Sequence, residues 1–264
     1  MLELYEIRKT FNLGTPTPTP ALRGVSLKLS PGEFVTIIGS NGAGKSSLLN
    51  AIAGTFPVDS GKIIIDGTDV TDWPEYKRAS LVGRVFQDPM MGTAASMSIE
   101  ENMAMAVKRG QARGLARGIK GEMRSYFREL LAGLGLGLEN RLTDKVRLLS
   151  GGQRQSLTLL MATLSKPKLL LLDEHTAALD PKTAQQVSQL TDKIVRENNL
   201  TVLMVTHNME HALKTGTRTI MMHEGQVIFD VSGRKREQMK VADLLSEFAR
   251  LRGERLADDK ILLG

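Results

Sequence analysis

Glu33-Phe34-Val35-Thr36-Ile37-Ile38-Gly39-Ser40-Asn41-Gly42-Ala43-Gly44-Lys45-Ser46-Ser47-Leu48-Leu49-Asn50-Ala51-Ile52-Ala53 is the stretch that decides how this chain folds. It opens with an apolar run that reads as a strand, passes through the pattern G-x-x-x-x-G-K-[ST], and closes on the apolar spacing of a helix. Strand, glycine-rich loop and helix start are the context a phosphate-binding loop requires. Glycines let backbone N–H groups close around phosphate oxygens, and the helix dipole with its unpaired first amides favours an anion. Lys45 is placed to reach terminal phosphates, Ser46 to ligate Mg²⁺, and the amides of residues 41–47 to form the cradle. The loop pattern by itself also serves GTPases and kinases, so it specifies a phosphate ligand without specifying a reaction.

Two further signatures follow in order. Leu149-Ser150-Gly151-Gly152-Gln153 reads as a helix start with Ser150 as its N-cap. The same arrangement can bind phosphate, and the two readings are compatible. Leu169-Leu170-Leu171-Leu172-Asp173-Glu174 is a continuous apolar run of the kind found in strands buried on both faces. It delivers two adjacent carboxylates, which serve either phosphate chemistry or the cap of the next helix.

The 264 residues contain no cysteine, so neither a disulfide framework nor a cysteine-based metal site is available. A net charge of +6 and a pI near 9.5 suit an anionic ligand, an anionic leaflet or nucleic acid without choosing among them. No stretch approaches the roughly 18 apolar residues that span a bilayer. The start, Met1-Leu2-Glu3-Leu4-Tyr5-Glu6-Ile7-Arg8-Lys9, alternates like a strand, and no signal peptide is expected from it.

Read along its length, the chain predicts strands at 2–11 and 22–29, with the proline-interrupted 14–20 between them as an extended hairpin loop. A strand with a turn is expected at 62–70, and strand-like runs return at 168–173, 201–206, 217–222 and 226–231. These are spaced by helical segments such as 181–198. Residues 87–161 read as helical and rich in Met, Ala, Arg and Glu. The expected fold is α/β: a P-loop NTPase core with a mainly parallel sheet, an N-terminal antiparallel β subdomain and an inserted α-helical subdomain. The core is expected over 1–86 and 162–264, the helical lobe over 87–161.

The order and content of these segments resemble the nucleotide-binding subunit of the ATP-binding cassette (ABC) transporter family, over essentially the whole chain. Ser-Gly-Gly-Gln separates that family from other P-loop proteins. The resemblance implies ATP hydrolysis with Mg²⁺, with Asp173 holding the metal mainly through water and Glu174 polarising the attacking water. It assigns Gln87, at the exit of the strand ending in Val85-Phe86, to the Mg²⁺ site and the attacking water, and His207, after 201–206, to the γ-phosphate. An aromatic from the N-terminal sheet usually supports adenine. Phe11 matches that role best, with Tyr5 the weaker candidate and a plain core role for Phe11 the competing reading. Stacking without hydrogen-bond selectivity would admit other purine triphosphates. His175, His211 and His223 receive no catalytic role, although His175 stands where relatives often have proline.

In the family, the Ser150 signature completes the ATP site of an opposing subunit, and Asp180 in Ala177-Ala178-Leu179-Asp180 lies across the same interface, here without the serine common before Ala-Leu-Asp. The resemblance therefore implies a homodimer sandwiching two nucleotides at the cytoplasmic face of a membrane, bound to separate transmembrane permease subunits. An importer would add an extracytoplasmic substrate-binding protein. Stand-alone importer ATPases of small-molecule uptake systems, amino acids among the cargoes, are the nearest type. Export or lipoprotein-release ATPases and a soluble ABC protein are the alternatives, but the chain lacks the second cassette or coiled-coil insert of ribosomal and DNA-acting members. The basic, glycine-rich stretch 108–120 has no interleaved aromatics and reads as a solvated loop, so no nucleic acid is expected as partner. The amphipathic 241–251 is expected to pack on the core.

Overall fold

Alternation along residues 2–29 builds the first sheet. The computed structural model describes residues 1–111, 119 and 121–262, so most of the basic stretch expected as a loop lies outside the described residues. Strands β1 (Leu2–Phe11) and β2 (Thr19–Leu29) pair antiparallel, with Leu2 opposite Leu29 and Leu4 opposite Leu27. β4 (Ser60–Ile65) and β5 (Thr68–Asp69) extend the sheet in the order β2-β1-β4-β5. Leu2, Leu4 and Ile7 are buried while Glu6, in the left-handed region at φ 49°, marks a shift of register between Leu4 and Ile7. The hairpin loop is shorter than the prolines suggested, because Thr19 and Pro20 already pair with Phe11 and Thr10. Pro20 is tolerated because β2 is an edge strand and needs no donor on its outer side.

The second sheet has six strands in the order β10-β9-β3-β8-β7-β6. Its strands are β3 (Phe34–Gly39), β6 (Val82–Val85), β7 (Leu169–Asp173), β8 (Thr201–Val205), β9 (Arg218–His223) and β10 (Gln226–Ser232). All neighbours are parallel except β10, which closes one edge antiparallel to β9. Every residue of β7 and β8 is buried, as a parallel sheet covered on both faces demands. Helix α1 (Lys45–Ala53) contributes Leu48, Leu49 and Ile52 to one apolar cluster shared with both sheets. The opposite face of the large sheet packs Leu170, Leu172, Val202 and Met204 against Ile194 and Val195 of α6 (Pro181–Glu197). The α/β class with its antiparallel N-terminal sheet is therefore the observed one.

Helices α3 (Ile99–Val107), α4 (Gly121–Ala132) and α5 (Gly151–Thr163) gather a separate core around Met103, Phe127, Leu131, Val146 and Leu157. α5 serves two cores. Leu157, Leu160 and Met161 face the helical lobe, while Leu159 and Ala162 join the cluster on the large sheet. At the other end of the chain, α9 (Val241–Leu262) packs on the core through Leu244, which shares a cluster with Ile38, Met221 and Ala212 of α7 (Met209–Lys214).

Arg78, at the end of the short helix α2 (Glu75–Arg78), is 2% exposed and locks α1 in place. Its guanidinium donates to Ala51 O at 2.6 Å and Ile52 O at 3.0 Å, closing the C-terminal carbonyls that α1 cannot satisfy internally. It also donates to Thr71 O at 2.7 Å and Trp73 O at 2.9 Å, tying the helix end to the loop beyond the small sheet. Arg78→Met keeps the bulk and strands the carbonyls of Ile52, Thr71 and Trp73, while Ala51 O keeps the Gly54 N–H at 3.2 Å. With each buried unsatisfied group costing about 1–3 kcal/mol, the variant should lose about 3 kcal/mol or more of unfolding free energy, read from urea denaturation curves.

Candidate active site

The loop between β3 and α1 is pressed so closely on its surroundings that two positions admit only glycine. At Gly39, φ 149°, a Cβ would stand 2.2 Å from Met222 O, and at Gly44, φ 93°, it would stand 2.5 Å from Ala21 O and 3.2 Å from Gly225 Cα. The turn between β9 and β10 braces the loop directly: Gly225 N–H donates to Ala43 O at 3.0 Å, and Gly225 O accepts from Arg23 N–H at 2.8 Å. With Gly44 as N-cap, α1 has no side chain on its first amides, which leaves them available to an anion.

Lys45 is buried, and its ammonium donates to Gly39 O at 2.8 Å and Ser40 O at 3.0 Å. Burial pulls its pKa below the ordinary lysine value, and Glu174 and Asp173 offset part of that. Ser46 Oγ donates to Asp173 Oδ1 at 3.3 Å, and the Arg84 guanidinium lies 3.9 Å from Asp173 Oδ2. Burial raises the Asp173 pKa above the usual carboxylate range, against the pull of Arg84 and the Ser46 hydrogen bond. Arg84 is held in turn by Asn50, whose Oδ1 accepts at 2.5 Å.

Glu174 follows in the left-handed region at φ 44°, its N–H donating to Val205 O at 3.0 Å. Its Oε2 lies 3.2 Å from His207 Nδ1, and the His207 side chain is 61% exposed. Glu174, His207, Gln87 and Phe11 line one cleft of about 820 Å³ together with loop residues Asn41, Gly42, Ala43, Gly44, Lys45, Ser46 and Ser47. Thr19, Pro20 and Ala21 of β2 complete its wall. The Phe11 ring is braced edge-on by Phe56, with centroids 5.0 Å apart and planes at 86°. Tyr5 is half exposed, is bonded to Glu3, and lies outside the cleft lining.

The remaining expected residues stand apart from this cleft. Ser150 caps α5, its Oγ accepting from Gln153 N–H at 3.3 Å while Gln153 Oε1 accepts from Ser150 N–H at 3.2 Å. Asp180 caps α6 by accepting from Thr183 N–H at 3.1 Å. The two caps adjoin: a Cβ on Gly152 would stand 2.2 Å from Thr183 Cγ2, and one on Gly151 would stand 3.3 Å from Leu179 Cδ2. Ser150, Gly151 and Asp180 are all exposed, so these two helix starts form one patch on the surface of a single chain. Arg84, the Thr19–Ala21 wall and the Gly225 brace were not among the expected site residues.

Residues 22–177 match the family model described as ABC transporter. The chain belongs to the ABC transporter family, and it is the ATP-hydrolysing subunit of a transport system. It is 48% identical over 248 residues to the tyrosine transport ATP-binding protein of Clostridioides difficile (strain R20291), covering 94% of this chain and 98% of that one. It is 35% identical over 230 residues to the methionine import ATP-binding protein MetN of Corynebacterium efficiens, covering 86% of this chain but only 61% of the relative. Among solved structures, the dimeric post-hydrolysis ATP-binding cassette MJ0796 bound to ADP and Pi superposes with a TM-score of 0.75 at 31% identity, over 88% of this chain and 98% of the other. Among the described residues, no helix is long and apolar enough to cross a membrane.

His175, beside Glu174, is 2% exposed, and burial pushes its imidazole down to about 3, with His211 adding to the effect. Unfolding restores the ordinary value of 6.5, so between these values the unfolded chain binds more protons and stability falls as pH drops. The slope from this group reaches about 1.4 kcal/mol per pH unit. His211, lowered by burial, acts in the same sense, and Asp192, raised by burial, acts in the opposite one. Urea midpoints measured from pH 7.5 to 4.5 should fall more steeply in the parent protein than in His175→Phe, which keeps both other groups.

Proposed function

We propose that this chain powers import of an amino acid, working as a pair of cassettes at the cytoplasmic face of a membrane beneath separate permease subunits, with an extracytoplasmic substrate-binding protein delivering the cargo. The near full-length likeness to a tyrosine transport ATP-binding protein supports the cargo class. Residues 1–264 would form a single cassette with 87–161 as its helical lobe. The exposed Met90 and Met91, just beyond Gln87, offer the permease an apolar contact on the segment 87–100.

One observation carries the catalytic reading: the loop, Gln87, Glu174, His207 and an aromatic ring face a single cleft, while Ser150 and Asp180 face outward elsewhere. In that cleft Phe11 would support adenine, and the amides of residues 41–47 with Lys45 would hold the β- and γ-phosphates. Glu174 would take the proton of the attacking water, with His207 steadying its carboxylate at 3.2 Å and turning to the γ-phosphate. The Ser46 hydroxyl, the Asp173 carboxylate and the Gln87 amide are all-oxygen donors that suit a hard cation. Mg²⁺ held there would neutralise charge on the transferring phosphoryl group. The patch of Ser150, Gly151, Gly152 and Gln153 beside Asp180 would serve the nucleotide of the partner subunit, each chain completing the other's site.

Glu174→Gln should bind ATP with unchanged affinity while phosphate release drops about 10²–10⁴-fold, the usual range for a general base. Near-parental release would refute the assignment. In the Glu174→Gln background, ATP with Mg²⁺ should shift the isolated chain from monomer to dimer by light scattering, and ADP should not. Adding Ser150→Glu, whose carboxylate opposes a γ-phosphate at the α5 N-terminus, should abolish that dimer and leave ATP binding in place.

A further inference from the structure

Glu174 is held in a backbone region that a non-glycine residue occupies at a cost, at φ 44°, and such strain persists only where the surroundings over-determine it. One anchor is on its N-terminal side, the bond from Glu174 N–H to Val205 O at 3.0 Å on the neighbouring strand. A second lies on its C-terminal side. His175 Nε2 stands 3.0 Å from Thr191 Oγ1 on α6. The Thr191 hydroxyl donates its one proton to Val187 O at 2.8 Å, so its oxygen can only accept from the histidine. With that bond made, the arrangement calls for the proton of His175 on Nε2, donated to α6. Both His175 and Thr191 are buried, 2% and 1% exposed, so water does not substitute for either partner.

We infer that His175 is a positioning residue for Glu174, its Nε2–H to Thr191 bond pinning the turn after β7 to α6 and thereby holding the Glu174 carboxylate toward the cleft. The inference rests on the proposed role of Glu174 as general base. The same turn runs on to Asp180, the cap of α6, so the tether spans the segment between the carboxylate in the cleft and the exposed patch.

Three variants of the full chain separate positioning from packing. His175→Phe fills the volume and removes the donor, Thr191→Val removes the acceptor, and His175→Gln restores an amide N–H. His175→Phe and Thr191→Val should each lower kcat at least tenfold while the KM for ATP and the affinity for a fluorescent ATP analogue stay within twofold. The double variant should be no slower than either single, because one bond is lost in all three. His175→Gln should recover a measurable part of kcat. Parental kcat in His175→Phe would overturn the inference, as would a fall in kcat matched by an equal loss of ATP affinity, or multiplicative effects in the double variant. If one of the two single variants fails to fold, the other carries the test, since each removes the same bond and parental kcat in the one that folds overturns the tether. Failure of the general-base reading shows separately, as turnover surviving Glu174→Gln.

Discussion

The contact between Ser46 and Asp173 joins positions separated by 127 residues, and the rest of the molecule is arranged so that it can form. Parallel strands point their carboxyl ends to one edge of the sheet, which is where α/β proteins bind ligands. β3 ends in the phosphate-binding loop, β7 ends in Asp173, and only β8 lies between them. A carboxylate at that depth resists ionisation, and the guanidinium of Arg84 with the hydroxyl of Ser46 are what moderate the cost. The charge of Asp173 and the cation-ready hydroxyl of Ser46 are thus a consequence of strand order as much as of the residues themselves.

The helical lobe is joined to this edge by one shared element. α5 buries Leu159 and Ala162 on the sheet and Leu157 and Met161 in the lobe, so its exposed N-terminus at Ser150 is rigidly referred to both cores. Its first turn leans on the start of α6, where no side chain larger than hydrogen fits at Gly152 beside Thr183. α6 in turn holds His175. The patch facing outward and the carboxylate facing the cleft therefore hang from the same helix, a short physical route between the exposed helix starts and the proposed general base.

Much of this was legible in the residues. Four leucines before Asp173 read as a doubly buried strand, and the glycine-rich loop between an apolar run and a helix start placed Lys45 and Ser46. The signature at Ser150 and the histidine after β8 stood out through the family resemblance that the order and content of the motifs carry. What escaped has a common cause: it depends on contacts between distant segments that leave no local pattern. Arg84 reads as an ordinary charged residue of a short strand, and nothing near Ala21 or Gly225 announces that they wall or brace the loop. The prolines of the first hairpin suggested a longer loop because propensity cannot tell an edge strand from a central one. Phe11 lines the cleft and Tyr5 does not, and the register shifts that separate them along β1 are invisible to simple alternation.

The brace from Gly225 to the nucleotide loop has a consequence for how the protein is made. β9, which lies directly against β3, and the turn after it belong to the last fifth of the chain, yet Met222 and Gly225 shape the backbone at Gly39, Ala43 and Gly44. A ribosome therefore delivers the loop long before it delivers the surface that moulds it. Until the β9–β10 hairpin has emerged, the nascent chain carries every residue of the proposed phosphate cradle without the contacts that brace it. On the proposed reading of the loop, nucleotide affinity is then a late event in the life of each molecule, since a chain cut short before the hairpin lacks the contacts of Met222 and Gly225.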